Sequence, residues 1–383
     1  MANLKVDTVS GIGTEGPVLN GGLHFRSKNY LTLPKGTTAE RTATSSGIST
    51  VIGAIRYNTD SNKMECYVNN KWMIVSTSSP NLDGGARGLF ATMSPNATTT
   101  TDAVDFITIS TAGNATDFGN LSQARNGAAG LGSRTRALFA GGRNNPAETN
   151  IIDFHEFSST GNFTDFGDLT DTSAYQKGLA NQTRGVNAGG YAPSINDIID
   201  FVTIASTGNA LDFGNLDQNI GGGPGGGASP TRGVFSGGYN PSPALTSLNI
   251  LQYITIASTG NSQDFGDMTV LRSHNAQATS STRSVIANGY NKTPCTGNYD
   301  NQATSEVFTF ATLGNAVSFG DMINTGISPG GTSDSVRGVW AGGSTTNTIQ
   351  YVNISTQGDS LDFGDLVTAG GWMGGVSNGH GGL

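Results

Sequence analysis

Thr183-Arg-Gly-Val-Asn-Ala-Gly-Gly190, then Ile198-Ile-Asp-Phe201, then Ser206-Thr-Gly-Asn209 and Leu211-Asp-Phe-Gly-Asn-Leu216 make up one cassette, and it recurs six times. Its opening arginine falls at Arg87, Arg136, Arg184, Arg232, Arg283 and Arg337. The phenylalanine near its end falls at Phe118, Phe166, Phe213, Phe265, Phe319 and Phe363. Val, Ile, Phe, Tyr and Thr cluster in short runs bounded by Gly, Asn, Asp and Ser, and no stretch sustains a 3.6-residue apolar period. Such a repeat, about 50 residues long, predicts an all-β chain folded as a β-propeller with one blade per copy.

Each copy resolves into four strand candidates, which in the copy above are residues 178–182, 184–188, 198–204 and 211–216. A glycine pair follows the second candidate (Gly141-Gly142, Gly189-Gly190, Gly237-Gly238, Gly342-Gly343), where the chain must turn without a Cβ. Gly-Asn or Gly-Asp pairs, as at Gly161-Asn162 and Gly358-Asp359, suit tight hairpins. After the sixth copy the chain runs on as Trp372-Met-Gly-Gly-Val-Ser-Asn-Gly-His-Gly-Gly, which aligns with Tyr175-Gln-Lys-Gly-Leu-Ala-Asn-Gln-Thr-Arg-Gly at the start of a blade. The first copy lacks that strand, so the C-terminal segment is expected to supply it. Six blades then close with no free sheet edge.

Composition agrees. The chain has 383 residues with 56 glycines and only 13% charged residues, yet 17 Phe, 10 Tyr and 3 Trp, which is not the make-up of a disordered chain. A net charge of −8 excludes a nucleic-acid partner that works through clustered cations. No apolar leader or long apolar run occurs, so no membrane insertion and no ordinary secretion are expected. Cys66 and Cys295 lie in different modules and are not expected to pair.

The copies begin at residue 84 and fill 84–383. Residues 1–30 read as an arm unable to bury a core. Residues 31–83 hold a three-stranded meander, with strands expected at 54–58, 63–68 and 71–75 and a linker over 76–85. Three short strands are marginal alone, so partner subunits should complete their core.

The glycine pair after an apolar strand, at this period, resembles kelch-type propellers, although the spaced Tyr and Trp of that family are absent. The cassette resembles, more closely, kelch-like structural proteins of tailed bacteriophages, marine ones especially, and the likeness covers residues 84–383. Ile55-Arg-Tyr-Asn-Thr-Asp60 resembles a segment of phage tail-fibre proteins that precedes a variable distal domain and often trimerises. The resemblance implies a virion structural protein of the tail, assembled in the host cytoplasm. Residues 1–30 would attach to other tail proteins and 31–83 would form a homotrimer. The propeller would adhere to a host-surface glycan or protein. A head or tail decoration protein without receptor role, and a glycan-cleaving propeller enzyme, remain as alternatives.

Chemistry-bearing motifs mostly have structural readings. Asp-Phe-Gly recurs in five copies without a phosphate loop, so it is not a kinase element. Glu148, Glu156 and Glu306 are the only glutamates of the repeats, His24, His155, His274 and His380 stand far apart, and no cofactor or metal is expected. Gly221-Gly-Gly-Pro-Gly-Gly-Gly227 reads as a flexible loop. The repeated arginine and the aspartate before each phenylalanine suggest ion pairs, with Arg136, Arg184 and Arg232 set against Asp165, Asp212 and Asp264. Blade five, with Ser318 in place of Asp, would lack its carboxylate. Function is expected where copies differ. The segments after the glycine pair lengthen to 239–249 and 290–305 in adjacent blades, so Tyr239, Asn240, Tyr290, Asn291 and Tyr299 are the candidate receptor-binding residues.

Overall fold

The computed structural model describes residues 33–42, 52–61, 63–69, 71–74, 86–91, 93–96, 98–191, 194–223, 225–240, 246–292, 299–343 and 345–383. The expected arm and linker lie outside them. The chain divides into two compact units, Met1–Ser79 and Pro80–Leu383, and is all-β, with no α-helix among the described residues.

In the first unit Ile55–Asn58, Lys63–Val68 and Lys71–Ile74 pair antiparallel, and Lys35–Gly36 adds in parallel to the first of them. One face is covered. Buried Glu65 takes ion pairs from Arg41 and Arg56, the latter guanidinium also lies 5.7 Å over the Trp72 ring, and the Trp72 indole donates to the Arg41 carbonyl. Among the described residues nothing covers the other face. Register sets Ile55, Cys66 and Met73 side by side, and strand alternation adds Val68; Ile55 is 48% and Met73 54% exposed. Cys66 there is a free thiol.

The second unit contains six main antiparallel sheets, five of four strands and one, the fourth, of five, with Tyr239–Asn240 as its extra strand. Sheet three, for example, runs Lys177–Ala180, Arg184–Ala188, Ile198–Thr203 and Leu211–Asn215, within a residue or two of the sequence reading. Sheet one is assembled from both ends of the unit: Gly374–Ser377 pairs with Arg87–Ala91, followed by Thr101–Thr108 and Thr116–Arg125. The first strands, Ala129–Gly132, Lys177–Ala180, Gly225–Ala228, Ala276–Thr279, Gly330–Ser333 and Gly374–Ser377, each lie against the next, and the last against the first. Glycine makes this approach feasible. A Cβ on Gly178 would stand 2.5 Å from the Gly130 carbonyl oxygen, and one on Gly226 at 2.5 Å from that of Gly178. For that reason the glycine run expected to be a flexible loop is in part a strand, Gly225–Ala228, whose missing side chains admit the neighbouring backbone.

Three inter-sheet connections repeat six times. The cassette phenylalanine packs into the following sheet: Phe118 clusters with Ala137, Phe139 and Phe157, and Phe363 with Phe90, Ile107 and Ile109 of sheet one. Burying each ring contributes about 2–3 kcal/mol. The Gly-Asn segments are more than hairpins. Gly208 donates its N–H to the Phe166 carbonyl, Ala210 donates to Asp168, and the Asn209 side chain accepts the Asp168 amide, so the segment runs along the last strand of the preceding sheet. Gly167, in Asp165-Phe-Gly, lies under this crossing: a Cβ there would be 2.5 Å from the Gly208 carbonyl. Third, the polar residue inside the apolar run (Asp105, Asp153, Asp200, Gln252, Glu306, Gln350) is buried and accepts a backbone amide of the preceding sheet. Asp153 and Glu306 also hold wholly buried arginines, Arg125 at 2.9 Å and Arg272 at 3.1 Å. Asp105 has no such cation, and burial pushes its carboxyl up to about 6.

The expected Arg–Asp pairs do not form. Arg136 pairs with Glu156, and neither Arg184 nor Arg232 forms an ion pair with Asp212 or Asp264. Alternation along the strand is the reason. Arg136 sits 5.0 Å over Phe154, which meets Phe166 edge-on at 5.6 Å, so these three side chains share one face of the sheet. Asp165, next to Phe166 in the strand, projects from the other face and is exposed, as are Asp212 and Asp264. The arginines instead donate to carbonyls of the following sheet: Arg87 to Phe157, Arg136 to Ile204, Arg184 to Ile256, Arg232 to Phe310, Arg283 to Ser355 and Arg337 to Ile109. In every sheet but the fifth the guanidinium also covers the ring of Phe106, Phe154, Phe201, Tyr253 or Tyr351.

Candidate recognition site

At the end of the sheets where second strands turn into third strands, the repeats cease to resemble one another. Just before each first strand one residue adopts left-handed backbone: Gly127, Tyr175, Gly223, His274, Ser328 and Trp372, with φ between 53° (Ser328) and 67° (Gly127). A side chain in that conformation costs roughly 1 kcal/mol or more, so something must enforce it. The enforcement is a cycle of backbone hydrogen bonds. Tyr175 donates to Gly127, Gly223 to Tyr175, His274 to Gly222, Ser328 to His274, Met373 to Ser328, and Gly127 to Trp372.

Three of those six positions carry rings, and the rings converge. His274 lies 4.8 Å from Trp372, and Trp372 5.3 Å from Tyr175, both edge-on. His274 stacks on Tyr290 at 5.2 Å and has Tyr239 at 6.0 Å. Its Nδ1 meets the Ser328 hydroxyl at 2.7 Å. Burial, reinforced by the charges of Lys177 and Lys292, lowers the imidazole pKa to about 3, so it is neutral across the physiological range. Beneath the cap the Lys177 ammonium donates to the Met373 carbonyl, and desolvation lowers its pKa to about 8.

Against this geometry the candidate receptor residues separate. The two long insertions do meet: the Lys292 amide donates to the Ser247 hydroxyl at 2.9 Å, and Ser247 and Ser273 hydroxyls are 3.1 Å apart. Tyr239 is half-buried, and Asn240 donates to Gln218 at 3.0 Å. Asn291 is half-buried. Tyr290 is a correction: only 6% exposed, it is a wall of the His274 pocket rather than a surface anchor. Its ring stacks on the His274 imidazole, which takes it out of contact with solvent. The backbone of Tyr299 pairs with Lys292, and its side chain, like residues 241–245 and 293–298, lies outside the described residues. Tyr175 and Trp372, both half-exposed, belong to the site although the insertion lengths do not point to them. The available signal was that their aligned positions read Gly, Tyr, Gly, His, Ser, Trp, six copies without a consensus.

The space between the six first strands is small. Cavities of about 10, 30 and 50 Å³ lie along it, room for water and not for a sugar ring. At the far end the C-terminal residues fill it. His380 Nε2 meets the Gly132 carbonyl at 2.9 Å, burial lowers its pKa to about 4, and Gly381 donates to the Thr279 hydroxyl. Among the described residues no group of His, Cys, Asp and Glu is placed to hold a metal ion. Neither protein-family models nor curated proteins match the chain.

Proposed function

We propose that the six sheets are the blades of a six-bladed kelch-like β-propeller closed by the C-terminal strand, and that the chain is a tail-fibre or tail-tip protein of a bacteriophage virion adhering to the host surface. The observation that carries the adhesion reading is the contrast between the two ends of the blades. One end repeats six-fold. The other brings the half-exposed rings of Tyr175, Trp372 and Tyr239 together around His274, beside the described parts of the paired insertions and next to the hydrogen-bond cycle. Rigid aromatic groups on a pre-organised surface are how recognition sites gain contact area at low entropic cost. Oligomerisation through the first unit, as a homotrimer, is supported by the bare stripe of Ile55, Val68 and Met73. It would multiply weak contacts into avidity.

Labelled full-length protein should bind host cells, and Tyr239→Ala with Trp372→Ala should reduce binding at least tenfold with the melting temperature within a few degrees of wild type. Tyr290→Ala should instead lower the melting temperature. A wild-type protein that does not bind leaves a decoration protein, and release of reducing sugar from host envelope would point to the glycan-cleaving enzyme.

A further inference from the structure

Sheet five breaks the cassette at several positions at once, at the end of the strands opposite the aromatic cap. Where the other copies have Phe106, Phe154, Phe201, Tyr253 and Tyr351 under the arginine, sheet five has Val307. Where they have aspartate before the phenylalanine it has Ser318, and where three copies have threonine before Gly-Asn it has Leu313, with Gln357 at that place in sheet six. These departures do not merely weaken the pattern. Val307 and Gln357 line a groove of about 510 Å³, bounded also by Arg283, Thr309, Asn315 and Val317. That is the size of a small-molecule site, unlike the water-sized cavities between the first strands.

Its chemistry is specific. Arg283 is the one charged residue of the lining. One nitrogen donates to the Ser355 carbonyl at 3.0 Å, and its other guanidinium N–H groups have no partner among the described residues. The ring that elsewhere covers the guanidinium is gone. Gln357 is fixed by its bond to the Ser318 carbonyl at 3.0 Å. The Asp359 carboxylate, adjoining in sequence, accepts the Asp321 amide. Val307 and Val317 add an apolar wall beside the polar groups.

We propose that this groove binds a carboxylate-bearing, hydroxylated ligand of monosaccharide size, an acidic sugar. The carboxylate would meet the N–H fork of Arg283, which suits a planar two-oxygen acceptor. Hydroxyls would meet Thr309, Asn315 and Gln357, and ring C–H groups the two valines. The site is independent of the host-binding reading above, because it uses the other end of the strands and none of the residues varied in that test.

Ligand-observed NMR and calorimetry on the full chain, with glucuronate, N-acetylneuraminate and neutral glucose as probes, test it. At least one acidic sugar should bind at millimolar or better affinity with glucose binding tenfold weaker or not at all; which acid binds identifies the sugar class. Arg283→Gln should weaken binding at least tenfold. Val307→Phe, which restores the ring that the other copies carry, should abolish it without loss of thermal stability. No binding of either acid, equal binding of glucose, or full binding by Arg283→Gln overturns the proposal, and the last outcome does so even if Val307→Phe fails to fold.

Discussion

At the end where second strands begin, every sheet carries the same arginine donating to the next sheet, the same Gly-Asn or Gly-Asp crossing and the same buried phenylalanine. At the end where second strands finish, a hairpin with its own pair of strands (Tyr290–Lys292 with Tyr299–Asn301) replaces the six-residue connection, 342–347, that serves sheet six. Both ends are well packed, yet they specify different things. The repeated end uses backbone hydrogen bonds and glycine, which fix the distance between sheets and leave little freedom for side chains. The variable end satisfies its backbone within one hydrogen-bond cycle, which leaves Tyr175, Trp372 and Tyr239 able to vary without altering that spacing.

The sharpest way to break this comparison is a methyl group at the repeated end. Gly167→Ala and Gly208→Ala both force a side chain into strongly positive φ, at 146° and 153°. Only the first also places its Cβ 2.5 Å from the Gly208 carbonyl, whereas the second has nothing within 4 Å. Gly208→Ala should cost about 1–3 kcal/mol from backbone strain alone. Gly167→Ala should cost more than that, or prevent folding, because the crossing has to move. Urea melts of the two variants give the ranking, and equal losses would mean that conformation and not crossing explains the glycine of Asp-Phe-Gly.

Acid should act at both ends together. His274 caps one end and His380 fills the other, with pKa values lowered to about 3 and about 4 by burial. A depressed histidine contributes stability that is complete above its unfolded pKa, near 6.5, and is lost as pH falls toward the folded value. At pH 5 the loss is roughly 2 kcal/mol for each. Asp105, raised to about 6, works the other way: its folded form takes up a proton first, so it gains roughly 1 kcal/mol over the same interval. The net expectation is a lower melting temperature at pH 5 than at pH 7.5. His380→Gln should shrink that difference by about two thirds, and an undiminished drop in that variant would place the acid sensitivity elsewhere.

These residues also show where the sequence was legible. Strand positions and the pairing of the C-terminal segment followed from repetition, because each copy is an independent sample of one local pattern. The role of glycine was legible only in kind. Gly225–Ala228 looks like a loop until the Gly178 backbone is seen beside it. The Arg–Asp pairs failed because counting residues ignores which face of a strand each occupies: one step in sequence, from Phe166 to Asp165, reverses the direction. Asp153 and Glu306 were hidden inside apolar runs, and their partners Arg125 and Arg272 belong to the preceding sheets, outside the cassette pattern. Tyr290 stands out in the sequence as an aromatic residue on an insertion, but its depth depends on His274, a residue of a different connection.

The smallest effect bears on what the repeated arginine does. If its contribution comes from lying over an aromatic ring, then Arg184, 4.7 Å over Phe201, should matter more than Arg283, which has Val307 at that place. Both donate one bond to the following sheet, at 3.0 Å in each case, so that term cancels in the comparison. A partly exposed cation over a ring is worth about 0.5–1 kcal/mol. Arg184→Ala should therefore destabilise by about that much more than Arg283→Ala. Val307→Phe should narrow the gap by giving Arg283 a ring of its own. Denaturant midpoints for the three variants and wild type suffice, and an Arg283→Ala loss as large as that of Arg184→Ala would assign the arginine's role to its carbonyl bond alone.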